Sequence, residues 1–417
     1  MKSLLLRTCC LSLFALSLPS HATLGPFDLG NGIQSLGMGG VSYSHGTETT
    51  ALGGNPAHAL ALGNRFDLGI GAFNAVARAS IAGNSLAADS TEESDGQAYY
   101  AMPQGGYVRQ LSDRWAIGVT ILAAGLGPDY DGSPFARFGG NPDRARLALA
   151  SSGVSTALAF RVFDSVDLGV SLNTGYQTIS VIGLEFLDNA ALSASPGQVT
   201  DRGKDGVFTI GASVGVIWRI DPSLTAGLSY RSQNHNARHR DYRGLIANGG
   251  RLQLPAIFGG GLSYRVSPKL IVVAEAQRYA YSGEDAFSNG LDRLQAGTQL
   301  GAAGGPGFGY DDQTVYKLGA SFDVSPQLTL RAGYAYATQI VTRGNTLFSF
   351  IGPVTLREHY STGFTWRWTQ WDVSGYSYLA ARRKVRGEGS IPEAFGGGEA
   401  DIENRIIGFG LSVGRRF

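Results

Sequence analysis

Charge is scarce in this sequence. Only 16% of its 417 residues are Asp, Glu, Lys or Arg, against roughly 25% in soluble globular proteins. There is no basic block to hold nucleic acid and no acidic tail. No stretch after the N-terminus approaches 18 consecutive apolar residues, which excludes helical membrane spans. Cysteine occurs only at Cys9 and Cys10, both in a segment expected to be removed, so the remainder has neither a disulfide framework nor thiol chemistry. What is plentiful is glycine, with 60 residues, and ring side chains, with 18 Tyr and 20 Phe. That mixture suits strands that show apolar side chains to one medium and small or polar ones to another.

The first 22 residues, MKSLLLRTCCLSLFALSLPSHA, place Lys2 and Arg7 before an apolar run from Cys9 to Leu18 and end on Ser20-His21-Ala22. This is the pattern of a secretory signal peptide, too short in its uncharged run to span a bilayer. Its removal takes two of the 34 basic residues, leaving 32 against 33 acidic ones. An exported, membrane-compatible chain without helical spans has one architecture open to it, a closed β-barrel.

A period of two runs through the chain. After Gly206, Phe208, Ile210, Ala212, Val214, Val216 and Trp218 alternate with Val207, Thr209, Gly211, Ser213, Gly215 and Ile217. In the next examples Val166, Leu168, Val170 and Leu172 oppose Asp167, Gly169, Ser171 and Asn173, and Tyr316, Leu318, Ala320 and Phe322 oppose Lys317, Gly319 and Ser321. The second face is small and polar rather than highly charged, which predicts a filled or narrowed lumen instead of a wide aqueous pore.

Short turn signals punctuate these runs at LSDRW (111–115), FDSVD (163–167), IDPSL (220–224), VSPKL (266–270), VSPQL (324–328) and WTQWD (368–372), with Pro, Asp and Ser supplying the turn chemistry. Longer polar, Gly-rich connections separate them, among them 91–97, 127–143, 189–205, 235–250 and 283–311. Short turns at one end and long loops at the other predict an outer-membrane barrel of fourteen antiparallel strands over residues 65–417. Trp115, Trp218, Trp366, Trp368 and Trp371 all fall beside short turns, as an interfacial girdle requires. In the last segment Ile407, Phe409, Leu411, Val413 and Phe417 alternate with Gly408, Gly410, Ser412, Gly414 and Arg416. The chain ends on an aromatic, and Phe409, Leu411, Val413 and Phe417 resemble the signal read by the barrel assembly machinery of Gram-negative outer membranes, from which Arg415 departs.

Residues 23–64 have no place in such a wall. The stretch LGMGGVSYSHGTETTALGGNPAHAL (36–60) is a poor helix and an unsuitable central strand, so it is expected to fold inward as a plug. LGMGG (36–40) and GGNPA (53–57), just ahead of RFDLG (65–69), resemble the N-terminal hatch of the FadL/TodX-type family of outer-membrane long-chain fatty acid and hydrocarbon transporters, whose hatch motif is matched by Asn55, Pro56 and Ala57. GVFTIGASVGVIWRIDPSLTAGLSYRSQ, LQLPAIFGGGLSYRVSPKLIVVAEAQ and VYKLGASFDVSPQLTLRAGYAYA resemble three successive hairpins of that family. The resemblance covers most of the chain, with His58 and the short loop at 241–250 as departures.

The resemblance implies passive uptake of a hydrophobic small molecule or fatty acid: capture at the outer loops, transfer to an apolar lumenal pocket, and release sideways through a gap made by an inward kink of the third strand. That strand is WAIGVTILAAGLGPDY, with Gly125 or Gly127 as candidate kinks. The outer capture site is sought in IGLEFLDNAAL (182–192), where Phe186, Leu187, Ala190 and Ala191 share one face if the segment is a short helix, or form a strand rim if it is not. Phe73, Ile217, Ile257 and Ile271 are candidate pocket residues, and Arg331 is placed to meet a ligand carboxylate or to pair with a neighbouring acid. Further partners implied are outer-membrane lipid and lipopolysaccharide around a monomer, with no cofactor and no nucleic acid.

Two other classes compete. A general porin lacks such a plug, and a barrel of similar sequence acting as a structural or shuttle partner in secretion shares the GMGG and NPA features. An enzyme is disfavoured: Ser44-His45-Gly46 lacks nucleophile-elbow spacing, the six histidines form no metal pattern, GGPGFG (304–309) has no flanking strand and helix, and Asp129 and Asp131 lack the rest of a calcium loop.

Overall fold

A computed structural model describes residues 24–417, so the expected signal peptide lies outside the described residues. Fourteen long strands form the wall: β1 (Arg65–Ala82), β2 (Tyr100–Ser112), β3 (Trp115–Leu126), β4 (Ala145–Phe163), β5 (Val166–Ile182), β6 (Asp205–Arg219), β7 (Leu224–Arg231), β8 (Ala256–Ser267), β9 (Leu270–Ala280), β10 (Gln313–Asp323), β11 (Leu328–Ala337), β12 (Glu358–Trp368), β13 (Trp371–Val385) and β14 (Glu399–Arg416). Each runs antiparallel to its neighbour, and β1 pairs with β14 from Arg65↔Arg416 to Ala82↔Glu399, which closes the cylinder. Closure removes the free sheet edges that hydrocarbon would leave unsatisfied.

Alternation sorts the two faces. Phe208, Ile210, Val214 and Trp218 are exposed on the outside, while Val207, Thr209, Ser213 and Ile217 are buried within. Likewise Tyr316 and Leu318 face outward and the intervening Lys317 is 2% exposed. All six expected short turns are present, and side chains fix them locally. Asp221 Oδ1 accepts from the amides of Ser223 and Leu224, and Ser325 Oγ accepts from those of Gln327 and Leu328.

The segment from Leu24 to Asn64 fills the lumen. It contains only single turns, Ile33–Leu36, Thr49–Gly53, Pro56–His58 and Ala59–Leu62. A polar lumen explains why. Inward side chains of the wall replace secondary structure as partners for the leader's backbone. Glu275 on β9 accepts from the amides of Ser42, Tyr43 and Ser44 at 2.8–2.9 Å, and Lys317 on β10 donates to the carbonyls of Leu29 and Gly40 at 2.7 and 2.8 Å. The wall is correspondingly thin where the leader touches it. A Cβ on Gly333 of β11 would lie 2.0 Å from the amide nitrogen of Gly39.

At the short-turn end Arg65 is fully buried and bridges two strands. Its guanidinium donates to Asp67 at 2.5–3.0 Å and to Asp372 of β13 at 2.8–2.9 Å, and Asp67 accepts the amide of Thr49 at 2.8 Å. The leader at Thr49, the first strand and the thirteenth are thereby tied at one point.

Candidate functional site

One seam of the wall is incomplete. β2 and β3 are paired from Ser112↔Trp115 only as far as Gly106↔Thr120. Beyond that point Tyr100–Gly105 continues along β1, and Ile121–Leu126 continues along β4 from Ile121↔Val154 to Leu126↔Leu149. The two sides meet again in the loops, where the amide of Asp95 donates to the carbonyl of Asp129 and Ser94 bridges Tyr130. Between these limits, among the described residues, no ladder joins β2 to β3. The leader lies behind the opening, with the Gly125 amide donating to the Pro26 carbonyl at 2.6 Å.

The seam parts after Thr120, five positions before Gly125, so neither candidate glycine marks where the ladder stops. Gly127 has a different constraint: its φ is +135°, and a Cβ there would lie 2.0 Å from the carbonyl oxygen of Leu147. It shapes the end of β3, a position only glycine holds without strain.

Apolar space lies above the lumen. A cavity of about 540 Å³ is lined by Leu147, Ile179, Val181, Leu184, Leu187, Leu252 and Phe308 among others. Two lumenal pockets, of about 480 and 560 Å³, share Phe27, Leu122, Ala123 and Arg231. They therefore adjoin the incomplete seam, to which Leu122 and Ala123 belong. A file of rings connects the two levels. Phe308 lies 5.1 Å from Tyr310, Tyr310 5.8 Å from Tyr281, Tyr281 6.1 Å from Tyr279, and Tyr279 is stacked on Phe27 at 4.9 Å. Ring contacts at these separations are favourable beyond their buried area. The hydroxyls are satisfied at the side of the file, Tyr310 by the carbonyl of Gly352 and Tyr281 by that of Leu24.

No charged residue lines the outer cavity, whereas the lumenal pockets have several. Asp28, Arg231 and Lys317 line the larger lumenal pocket. Burial raises the Asp28 carboxyl to about 6, against the opposing pull of the Leu29 amide, the Tyr378 hydroxyl and Lys317. His58 is pushed down to about 4 by burial, which leaves it neutral at physiological pH, and its Nε2 donates to the Ser42 carbonyl. Among the described residues no group of His, Cys, Asp and Glu is arranged to hold a metal ion.

The residues singled out from the sequence fall in several places. Asn55 is a turn cap and a tether: its Oδ1 accepts the amide of Ala57, and its Nδ2 reaches the carbonyls of Tyr43, Val216 and Leu228. Pro56 opens the turn Pro56–His58 and Ala57 is buried within it. Segment 182–192 holds one 3-10 turn, Glu185–Leu187, so the four residues chosen there do not share a helical face. Leu187 lines the outer cavity. Phe186 instead meets Phe135, Phe138 and Phe395 at 5.5–5.8 Å, while Ala190 and Ala191 are exposed and their carbonyls accept from Gln299.

Ile257 lines the larger lumenal pocket. Phe73 is stacked on Tyr100 at 5.6 Å, Ile217 is buried in the wall, and Ile271 packs on Met38 and Val41 of the leader. Arg331 donates to Gln34 and Thr365 at 2.7 Å and lies against the leader, away from the two larger lumenal pockets. On β14, Phe409, Leu411 and Val413 face outward, and Phe417 just beyond it is exposed and stacked on Tyr107 at 5.9 Å.

Sequence reasoning missed Phe27, Leu122, Ala123 and the ring file, and it missed the extent of the seam. One signal was present. Pro103 lies in β2 opposite Ile70, and a proline inside a strand belongs at an edge. The ring file has no such signal, because its members come from three distant parts of the chain.

The chain matches the family model described as outer membrane protein transport protein (OMPP1/FadL/TodX) over residues 36–417. It is 27% identical over 316 residues to outer membrane protein P1 of Haemophilus influenzae, a match covering 66% of this chain and 65% of that protein. Among solved structures it resembles the toluene transporter TodX of P. putida (TM-score 0.70, 18% identity, 93% of this chain and 99% of that one). It also resembles the toluene transporter TbuX of Ralstonia pickettii (0.67, 18%, 93% and 99%) and a FadL homologue of Pseudomonas aeruginosa (0.69, 16%, 96% and 99%). At these identities the structural likeness is one of fold.

Proposed function

The chain belongs to the outer membrane protein transport family (OMPP1/FadL/TodX), and on that premise we propose that it takes up hydrophobic compounds passively, by capture at the outer loops and lateral release through the incomplete β2–β3 seam. It is an outer-membrane β-barrel of a family of transporters rather than enzymes. The observation that carries the mechanism is the stretch above Gly106↔Thr120 where the wall has no ladder and a lumenal pocket lies behind it.

Physical chemistry supplies the direction. An apolar molecule gains roughly 25 cal/mol for each Å² withdrawn from water, so the outer cavity, lined by Leu, Ile, Val and Phe, is a favourable first station. The ring file from Phe308 down to Phe27 is a packed column of buried side chains, so cargo passing between the two levels displaces its rings. The lumen below it is polar and occupied by the leader, so the lowest-energy exit for an apolar cargo is sideways into lipid. Movement is then driven by consumption of cargo inside the cell. The cargo class spans long-chain fatty acids, alkanes and small aromatics; TodX and TbuX are toluene transporters.

The test is to narrow the seam. Leu122→Trp places a large ring on the inward face of β3 where it borders both lumenal pockets, while leaving the outer cavity intact. Cells carrying the variant should lose most uptake of a labelled apolar probe, yet the purified protein should still bind the probe. Uptake at the wild-type rate by a folded variant overturns lateral release through this seam.

A further inference from the structure

The lumenal pocket behind the seam is not apolar throughout. Phe27, Leu122 and Leu254 form its seam side, but its far side is the inner face of β4, β5 and β6, where the residues are small and hydroxylated. Gly153 of β4 pairs with Gly175 of β5, which pairs in turn with Thr209 of β6. The two glycines leave bare backbone between the side chains of Ser151, the next inward residue up β4, and Thr209. The pocket's volume of about 480 Å³ lies in the range of small-molecule sites, roughly 300–1,000 Å³.

Several polar groups here are unused. Asn173, just below Gly175, is satisfied within the wall, since its Nδ2 donates to Ser213 at 2.8 Å and its Oδ1 accepts from Ser171 at 3.2 Å. The hydroxyls of Ser151 and Thr209 and the side-chain amide of Asn234, all of which line the pocket, make no hydrogen bond among the described residues. Gln177 of β5, the partner of Ser151, is fully buried directly above. Its Oε1 accepts from Asn236 at 2.8 Å and from His239 at 3.0 Å, while its Nε2 has no partner. The next inward residues up β5, Ile179 and Val181, already line the outer cavity. A polar belt thus divides two spaces that an apolar cargo would occupy in turn.

A plain hydrocarbon in this pocket strips water from these groups and returns no hydrogen bond, the circumstance in which a site built for a hydroxyl rejects the analogue without one. A hydroxyl brings a donor and two acceptor lone pairs. An ionised carboxylate fits less well, although Arg231 borders the pocket: that guanidinium already donates to the Gly53 carbonyl of the leader. The charge would also have to cross an outer cavity without a charged lining and leave into hydrocarbon, at far greater cost than a neutral hydroxyl. Resting on the uptake reading above, we propose that this pocket is a subsite for a neutral hydroxyl group. The cargo is an alcohol or phenol whose apolar body lies against Phe27 and Leu122 and whose oxygen is held by Ser151, Thr209 and Asn234.

The test titrates the full barrel in lipid nanodiscs with toluene, benzyl alcohol and benzoate, read by isothermal titration calorimetry. Referring the affinity of each neutral ligand to its partitioning from water into hexadecane removes their difference in apolarity. On that scale benzyl alcohol should exceed toluene by about tenfold or more, as expected for gaining a buried hydrogen bond, and ionised benzoate should bind more weakly than benzyl alcohol. S151A/T209V, which keeps the side-chain volumes nearly constant, should remove most of that preference, with heat-modifiable electrophoretic mobility reporting that the variant is folded. An unaltered preference in the folded double variant, or tighter binding of benzoate than of benzyl alcohol, overturns the subsite. Toluene and benzyl alcohol bound equally on this scale overturn the hydroxyl preference alone and leave apolar uptake standing, whereas binding of none of the three overturns both.

Discussion

The amide of Gly125 donates to the carbonyl oxygen of Pro26 at 2.6 Å, so a strand edge abandoned by its neighbour is completed by the chain's own leader. In hydrocarbon a bare amide costs several kcal/mol. An opening in this wall is tolerable because protein stands behind it, and anything that moves residues 24–27 alters the opening as well.

Phe27 is the first place to test that link. Its ring is stacked on Tyr279 and borders both lumenal pockets. Phe27→Ala should join the two pockets and leave the strand ladder untouched. Single-channel recordings in planar bilayers should show a larger ion conductance than wild type; an unchanged conductance would mean the ring does not separate the spaces.

Glu275 should govern how firmly the leader is held. It accepts three consecutive amides, those of Ser42, Tyr43 and Ser44. Glu275→Ala strands these donors at roughly 1–3 kcal/mol each, while the barrel's ladder stays whole. Chymotrypsin should then cleave the leader after Tyr43 in a folded barrel. Protection equal to wild type would count against the carboxylate as the anchor.

Glu48 should make the leader's seat depend on pH. Burial and the nearby Asp67 raise its carboxyl from an ordinary 4.5 to about 7, opposed by the amides of Ser35 and Gln34 and by Arg65. Between those two values the folded state holds a proton that the unfolded chain has released, so this group's contribution to stability falls as pH rises from 4.5 through 7. Glu48→Gln mimics the protonated form. Relative to this variant, the wild type should lose thermal stability across that window and then level off; parallel curves would refute the coupling.

Gly127→Ala should disturb the route more than the barrel. The added Cβ collides with the Leu147 carbonyl and the backbone sits at φ +135°, a strain on the order of 1–3 kcal/mol. It is relieved only if the end of β3 shifts. Uptake of an apolar probe should drop while the unfolding midpoint changes modestly. A large loss of stability with normal uptake would show that Gly127 serves the wall alone.

The barrel was legible because its signals are local and repeated. The outward set at Phe208, Ile210 and Trp218 and the short turn at Asp221 need only neighbouring residues to be read, and lipid makes the same demand of every strand. The site was less legible. Arg331 has the inward parity expected of a ligand partner, yet Gln34 occupies its guanidinium, a contact across nearly three hundred residues that no spacing reveals. Segment 182–192 reads as well for a helix face as for a strand rim, and Phe186 and Leu187 diverge because separate loops converge on each.

By itself the sequence determined that this chain closes into a cylinder with its polar face inward and an irregular leader left over, since period-two alternation and turn residues act over a few positions. Where the wall opens was decided by tertiary structure alone: strands β2 and β3 part above Gly106↔Thr120, the leader offers Pro26 as a substitute partner to Gly125 five residues further along β3, and the ring file exists only after β9, the long loops and Phe27 have been brought together.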